Sequence, residues 1–281
     1  MFMRENDCMK ESNFSVLMSI YNKDNSEFLK EALESLKNQT IRAKETIIIF
    51  DGIVDKSLYD TVQQYVEELN IVTIQNEVNI GLAKSLNNGL TLVKYDLVAR
   101  MDADDIATRD RFQKQLAVFQ GENSQVDIVG GYVQEFSDNL RNLQAIRKVP
   151  QIESEIKEFS KYRSPLNHPT VMMRTQVVLS VGGYPTQFNK LEDYALWVYL
   201  INQNQHIINI PEILTYMRVS DSTYMRRGGV EQAKAFVMLR TKMFHIGYIN
   251  LLEMCFGTFI NVSMSVMPKK MRCIIYKILR R

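Results

Sequence analysis

The sequence predicts an α/β fold: a mostly parallel central sheet flanked by helices, followed by a C-terminal helical appendage. Three observations predict it. Apolar runs of strand length alternate with segments whose apolar residues recur every three or four positions, the pattern of a parallel sheet with helices on its faces. Polar residues follow the strand-like runs at Tyr21, Asp51 and Asp102, which gathers them at the edge where open parallel sheets bind ligands. No internal repeat or low-complexity linker interrupts the chain before about residue 225.

Residues 14–21 form a near-continuous apolar run, and Asp24, Asn25 and Ser26 after it are good helix caps. A strand followed by a helix results. In that helix Phe28, Leu29, Ala32, Leu33 and Leu36 share a face, and Asn38 with Thr40 closes it. Residues 46–50 read as a second, β-branched strand ending at Asp51. Leu58, Val62, Tyr65, Val66 and Leu69 repeat the helical period, and residues 71–74 give a third strand. A helix is expected over residues 82–93, with Leu86, Leu90 and Val93 inward, and a strand over residues 97–101 that runs into Asp102. Further on come a strand over 126–133, a short helix over 151–159, and a helix over 192–203 with Leu196, Trp197, Leu200 and Ile201 inward. Residues 207–210 and 214–219 read as two short strands.

Of the 281 residues 46% are apolar, enough for one large domain, expected over residues 1–225, with a helical region over residues 226–281. Lys and Arg number 34 against 32 Asp and Glu, a formal charge of +2, so the whole molecule makes no case for a nucleic-acid partner. Cys8, Cys255 and Cys273 are too widely spaced for a disulfide framework or a zinc site, which points to a reducing cytosol. The polar stretch 1–13 lacks the apolar core of a secretion signal, so a cytoplasmic location is expected.

Residues 246–267 are apolar but broken by Asn250, Glu253, Gly257 and Asn261, a poor bilayer span. After Glu253 there is no acid, while Lys269, Lys270, Arg272, Lys277, Arg280 and Arg281 accumulate. Beyond Pro268, the residues Met271, Ile274, Ile275 and Ile278 fall on one helical face bordered by these cations. That pattern suits a helix lying on an anionic membrane surface, or a last helix packed on the domain with a solvated basic face. Peripheral attachment is expected in preference to crossing.

Five stretches can carry chemistry. Asp102-Ala103-Asp104, followed by Asp105, offers carboxylates at a strand end that can share a hard divalent cation such as Mn²⁺ or Mg²⁺, or else a solvated turn ahead of Arg109. Glu192-Asp193 opens an apolar-faced helix, where acids favour the macrodipole or supply a base for a hydroxyl proton. Asn79-Ile80-Gly81 leads into a helix carrying Lys84, which is either an anion-binding helix start or a plain capped turn. His168-Pro169-Thr170, and Arg226-Arg227 beside two glycines, are second-rank candidates, the arginines for phosphate oxygens.

In order, residues 15–24, Asp51-Gly52, residues 79–88, Asp102-Ala103-Asp104-Asp105, His168-Pro169-Thr170 and Glu192-Asp193-Tyr194-Ala195-Leu196-Trp197 resemble family 2 glycosyltransferases of the GT-A fold. The resemblance spans roughly residues 14–220. The run Tyr216-Met217-Arg218-Val219 with residues 224–229 looks like the amylovoran, capsule and O-antigen subgroup, which works at the cytosolic membrane face on lipid-linked acceptors.

The resemblance implies inverting transfer of a single hexose from a nucleotide-diphosphate sugar, UDP-glucose or UDP-galactose, to a lipid-linked saccharide, with Mn²⁺ or Mg²⁺ as cofactor. It implies that Ser19, Ile20, Tyr21, Asn22 and Asp51 hold the nucleotide, with Asn79, Gly81, Lys84, Arg100 and Ala103 near the donor. Asp104 would be the metal ligand, and Asp102 would contact the ribose or the metal shell. Asp193 would be the general base, with Glu192 orienting the acceptor or supporting that base. His168, Trp197, Arg226 and Arg227 are placed toward acceptor or phosphate. A homo-oligomer is left open.

The sequence departs from the family's pattern at Phe50, where many relatives carry an acid. It lacks the Gln-x-x-Arg-Trp motif and the transmembrane bundle of processive synthases, which favours single-sugar addition. A sugar-nucleotide nucleotidyltransferase is the first rival, but Tyr21-Asn22-Lys23-Asp24 lacks the glycines of its phosphate loop. A non-catalytic nucleotide-sugar binding module is the second.

Overall fold

The computed structural model of the chain describes residues 13–121, 125–188, 190–220 and 228–268, together with Met271, Arg272 and Ile275. Its first half alternates β1 (Phe14–Ile20), α1 (Ser26–Lys37), β2 (Glu45–Phe50), α2 (Lys56–Gln63), β3 (Ile71–Gln75), α3 (Leu82–Leu90) and β4 (Leu97–Arg100). The strands lie in the order β3-β2-β1-β4, and all three pairings are parallel.

β1 and β2 are apolar throughout because both of their faces are covered. Leu17, Ile47 and Ile49 pack under Leu86 and Leu90 of α3. The alternate residues Val16, Met18, Ile20, Ile48 and Phe50 pack on the other face with Leu29 and Leu33 of α1 and Leu58 and Val62 of α2. Each such side chain contributes about 1.5–3 kcal/mol of burial, so a one-residue slip of register would forfeit both faces at once. α1 begins where Asn25 accepts the N–H groups of Glu27 and Phe28 at 2.8 and 3.2 Å. The helix expected through Leu69 stops at Gln63, yet Tyr65 and Leu69 stay buried in the turns that follow.

Past β4 come β5 (Ile106–Ala107), α4 (Arg111–Gln120), β6 (Ile128–Phe136), β7 (Leu143–Arg147), α5 (Glu153–Ser160), a 3-10 turn (His168–Thr170), β8 (Met172–Arg174), α6 (Thr175–Ser180), α7 (Glu192–Asn202) and β9 (Ile207–Arg218). Here the sheet becomes mixed. β8 is antiparallel to β4 and β6, β9 runs parallel to β6, and β5 and β7 close the far edges antiparallel. The two short strands expected over 207–219 are one strand. Its register passes from Gly131 opposite Ile210 to Tyr132 opposite Ile213, so Pro211 falls in a bulge where its missing N–H breaks no ladder bond.

The chain continues into α8 (Val230–His245) and α9 (Leu251–Val266). Leu239, Met243, Tyr248 and Ile249 belong to the same core as Leu196 and Trp197 of α7, so these helices pack onto the sheet domain. Among the described residues no helix is long and apolar enough to cross a membrane. The helix expected beyond Pro268 lies largely outside the described residues.

Candidate active site

The carboxylate of Asp51 closes the β2 end of the site. Its oxygens accept the backbone N–H groups of Ile80 at 2.8 Å and Gly81 at 3.0 Å, and the Asn76 amide at 3.1 Å. Asn76 in turn donates to Ser85 Oγ at 2.9 Å and accepts from Asn88 at 3.0 Å, and Asn79 donates to the Asp51 carbonyl at 3.2 Å. The helix-start amides read from the sequence as an anion cradle are therefore spent on an internal anion. Gly52 permits the approach, since a Cβ there would lie 2.7 Å from the Asn79 nitrogen and its φ is +87°. Lys84 stands exposed on the first turn of α3.

At the neighbouring end, β1 stops at Ile20, and Asp24 accepts the Tyr21 N–H at 2.9 Å to make a tight turn that leaves Asn22 exposed. Ser19, in the last turn of pleat, is half-buried. These residues and Asp51 thus share one rim of the parallel sheet, as strand order requires.

β4 ends in the acidic group. Carboxylate oxygens of Asp102, Asp104 and Asp105 lie within 4.8 Å of one another, with Ala103 buried beneath them. Asp105 accepts the Arg218 backbone N–H at 2.9 Å through Oδ1, while its Oδ2 is buried with no hydrogen-bond partner. Burial, and then the like charge of Asp102, push the Asp104 pKa up to about 6; burial and Asp104 raise Asp105 as well. Hard oxygen donors, an orphaned oxygen and mutual repulsion fit a divalent cation, which would relieve both costs.

Three arginines stand around the acids. Arg100, almost fully buried, ion-pairs with Asp102 and keeps Nε and Nη1 without a partner. Arg111 is wholly buried and donates to the carbonyls of Arg100 at 2.8 Å and Val171 at 3.3 Å; burial, and then Arg100, pull its pKa down to about 9. The Arg218 guanidinium lies between the rings of Phe28 and Phe136, at 3.9 and 4.5 Å from their centroids. It donates to the Asp104 carbonyl at 3.2 Å and to the Asp138 carbonyl at 2.6 Å, and pairs with Glu31. Arg218 thereby fixes the acidic turn to α1 and β9.

The N-terminus of α7 supplies Glu192 and Asp193. Asp193 Oδ1 accepts the Tyr194 N–H at 2.7 Å, and burial followed by the charge of Asp193 pushes the Glu192 pKa up to about 7. Tyr184 links this pair to the acidic turn. Burial raises its hydroxyl pKa, the charges of Asp193, Asp102 and Glu192 raise it further, and Arg100 opposes them. The charges of Asp102 after β4 and of Asp193 and Glu192 on α7 thus both reach this one buried hydroxyl. The Tyr184 backbone is held by Asn87 of α3, which accepts its N–H at 2.7 Å and donates to its carbonyl at 2.8 Å.

His168 is buried, its Nε2 3.0 Å from the Tyr184 hydroxyl and its ring edge-on to Trp197 at 6.0 Å. Burial, and then Arg100, hold it neutral. Trp197 is a correction to the sequence reading: with no exposed surface it is core, backing His168, and presents nothing to an acceptor. Arg226 and Arg227 lie outside the described residues. Sequence reasoning missed Tyr184, Asn76 and Asn87, whose partners are distant in the chain, and saw Arg218 only as part of a subgroup marker.

Residues 15–182 match the model of glycosyl transferase family 2. An Escherichia coli UDP-Gal:alpha-D-GlcNAc-diphosphoundecaprenol beta-1,3-galactosyltransferase is 37% identical over 269 residues, covering 95% of this chain and 97% of that one. The amylovoran biosynthesis glycosyltransferase AmsE of Erwinia amylovora is 34% identical over 226 residues, covering 80% and 84%. The structure of a Pyrobaculum calidifontis mannosyltransferase in complex with GDP-Man and Mn²⁺ superimposes with a TM-score of 0.62 over 95% of this chain and 80% of that one, at 14% identity. Matched over more than half its length by the family model and over nearly all of it by a relative 37% identical, the chain belongs to glycosyltransferase family 2 and has the GT-A fold.

Proposed function

We propose that the protein is an inverting hexosyltransferase, moving a single hexose from a UDP-sugar to a lipid-linked saccharide in bacterial surface polysaccharide assembly. The observation that carries this reading is the cluster of Asp102, Asp104 and Asp105 at the rim of the parallel sheet in a chain that belongs to glycosyltransferase family 2; Glu192 and Asp193, whose charges reach the same Tyr184 hydroxyl as that of Asp102, support it. The Escherichia coli relative supports the donor and acceptor classes, since its name specifies UDP-Gal and a diphosphoundecaprenol-linked GlcNAc.

Asp104, with Asp102 and Asp105, would hold Mn²⁺ or Mg²⁺; bound there, the ion supplies charge neutralisation to the departing diphosphate. The nucleotide lies along the rim formed by Ser19, Ile20, Tyr21, Asn22 and Asp51, with Asn79, Gly81, Lys84, Arg100 and Ala103 on the donor side. Asp193 takes the proton of the acceptor hydroxyl, whose oxygen bonds to the anomeric carbon from the face opposite the nucleotide. The anomeric carbon–oxygen bond to UDP breaks and its electron pair leaves with UDP, so the configuration inverts. Glu192 supports Asp193, and base catalysis of this kind contributes about 10²–10⁴-fold. Work on a lipid-linked acceptor requires peripheral residence at the inner face of the cell membrane.

The test is a panel of nucleotide sugars, with Mn²⁺, scored first by thermal shift and then by transfer to a GlcNAc-diphosphate lipid. A UDP-hexose raises the melting temperature by several degrees and is consumed with release of UDP. Stabilisation without turnover leaves a binding module, and nucleoside triphosphate consumption leaves a nucleotidyltransferase; either result overturns the reading.

A further inference from the structure

α9 has one charged residue in its sixteen, Glu253, and it is turned inward: its carboxylate lies 3.0 Å from Lys161 Nζ and accepts the Asn250 N–H at 2.8 Å in a capping box. The face turned away from the buried Gly257 and Ser265 is apolar and bare. Leu252 is 81% exposed, Phe259 71%, Phe256 59% and Val266 59%, and the exposed Cys255 falls among them. At 100° per residue these five lie within about a third of the helix circumference, centred on Leu252 and Phe259. A soluble domain gains nothing from two exposed phenylalanines one turn apart on a helix with no charge beside them.

The helix cannot roll to hide that face. Arg240 of α8, wholly buried, donates to the carbonyls of Lys161 and Glu253 and fills the space a side chain at Gly257 would need. Tyr194, which follows Asp193, donates to the Ser160 carbonyl at 2.6 Å and meets the charge of Arg240 as well, so the fastening of α9 reaches the helix that bears Glu192 and Asp193. Phe256 and Ile260 also line a cleft of about 270 Å³ with Phe236, Met264, Tyr162 and Arg163, apolar space continuous with the bare face.

We propose that α9 is a membrane seat, lying flat with Leu252, Phe256, Phe259 and Val266 in the boundary between headgroups and acyl chains of an anionic bilayer. Charge selects this occupant. No acid follows Glu253, and five Lys and Arg residues, Lys269, Lys270, Lys277, Arg280 and Arg281, follow the helix end at Val266; a sixth cation, Arg272, is buried and donates to the Ser265 carbonyl at 3.0 Å. A helix of sixteen residues is about 24 Å long, short of a bilayer span, and its buried side is committed to the protein, so it lies in the interface. The inference rests on the membrane-face reading proposed above and gives that reading its surface.

The experiment is co-sedimentation of the full chain with vesicles of 30% phosphatidylglycerol in phosphatidylethanolamine, and with pure phosphatidylcholine, for wild type and for Phe256→Glu/Phe259→Glu. Wild type binds the anionic vesicles, and the double variant partitions about tenfold less or worse. The control Phe256→Leu/Phe259→Leu keeps binding, and the UDP-sugar thermal shift of all three stays the same, which excludes a folding defect. Wild-type partitioning by the glutamate variant overturns the proposal. So does a wild type that ignores vesicles and is a dimer by light scattering, with the glutamate variant a monomer, since the face would then belong to a second copy. Vesicle binding needs neither donor nor acceptor: a chain that binds vesicles yet transfers nothing defeats only the transferase reading, and one that transfers to a soluble acceptor yet ignores vesicles defeats only this one.

Discussion

The backbone N–H of Arg218, at the end of the longest strand, donates to Asp105 Oδ1 at 2.9 Å across 113 residues of sequence. One oxygen of Asp105 is thus committed to the fold, while the other, buried and without a partner, faces no protein donor. The division separates an oxygen held by the fold from one that a cation could use. Asp105→Asn keeps an oxygen for Arg218 and removes a buried charge, so it should melt at or above the wild-type temperature while binding Mn²⁺ about tenfold more weakly. Asp104→Ala should lose Mn²⁺-dependent transfer by about 10²-fold or more. Calorimetric titration of Mn²⁺, with melting curves of both variants, checks this; undiminished affinity in both would remove the acidic turn from the donor site.

Asp51 answers three donors from a position almost closed to water. In Asp51→Ala the N–H groups of Ile80 and Gly81 and the Asn76 amide lose their acceptor, at a cost of about 2–4 kcal/mol. The expected fall in melting temperature is about 5–10 °C. A variant as stable as wild type would mean that the loop before α3 is held by something else.

Glu192 makes one contribution to the pH dependence of stability, alongside Asp104 and Asp105. Its folded-state pKa, about 7, exceeds the ordinary value of 4.5 because burial and the charge of Asp193 oppose ionisation. Between those values the native protein retains a proton that the unfolded chain has lost, so stability falls as pH rises through that window and stays lower above it. Glu192→Gln removes the effect. The variant should match wild type near pH 5 and exceed it near pH 8 by on the order of 1–3 kcal/mol, read from urea melts at the two pH values. Equal stability at pH 8 would show that the carboxylate is better solvated than its burial implies.

The parallel half of the sheet was legible because its strands are buried on both faces and read as unbroken apolar runs, as in Ile47, Ile48 and Ile49. The edge strand β7 was not, since Leu143 and Ile146 are exposed and its pairing to β6 leaves no apolar signature. Residues 207–210 and 214–219 read as two strands, and only the bulge opposite Gly131 and Tyr132 shows how one strand contains Pro211 between them. The acids after β4 and at the start of α7 stood out in the sequence as candidates by type and position. Tyr184, which joins them, looks in sequence like any aromatic after a glycine turn. Trp197 was read two ways, inward by its helical spacing and toward acceptor or phosphate by the resemblance; the spacing was the better guide, since it lies in the core beside His168.

If Asp193 and the acidic turn serve one transfer reaction, as proposed, single-turnover transfer by Asp193→Asn shows it. With UDP-hexose, Mn²⁺ and a GlcNAc-diphosphate lipid, donor binding should stay within about twofold of wild type and the transfer rate should fall by about 10²–10⁴-fold. Transfer at the wild-type rate, with the donor bound as before, would contradict it.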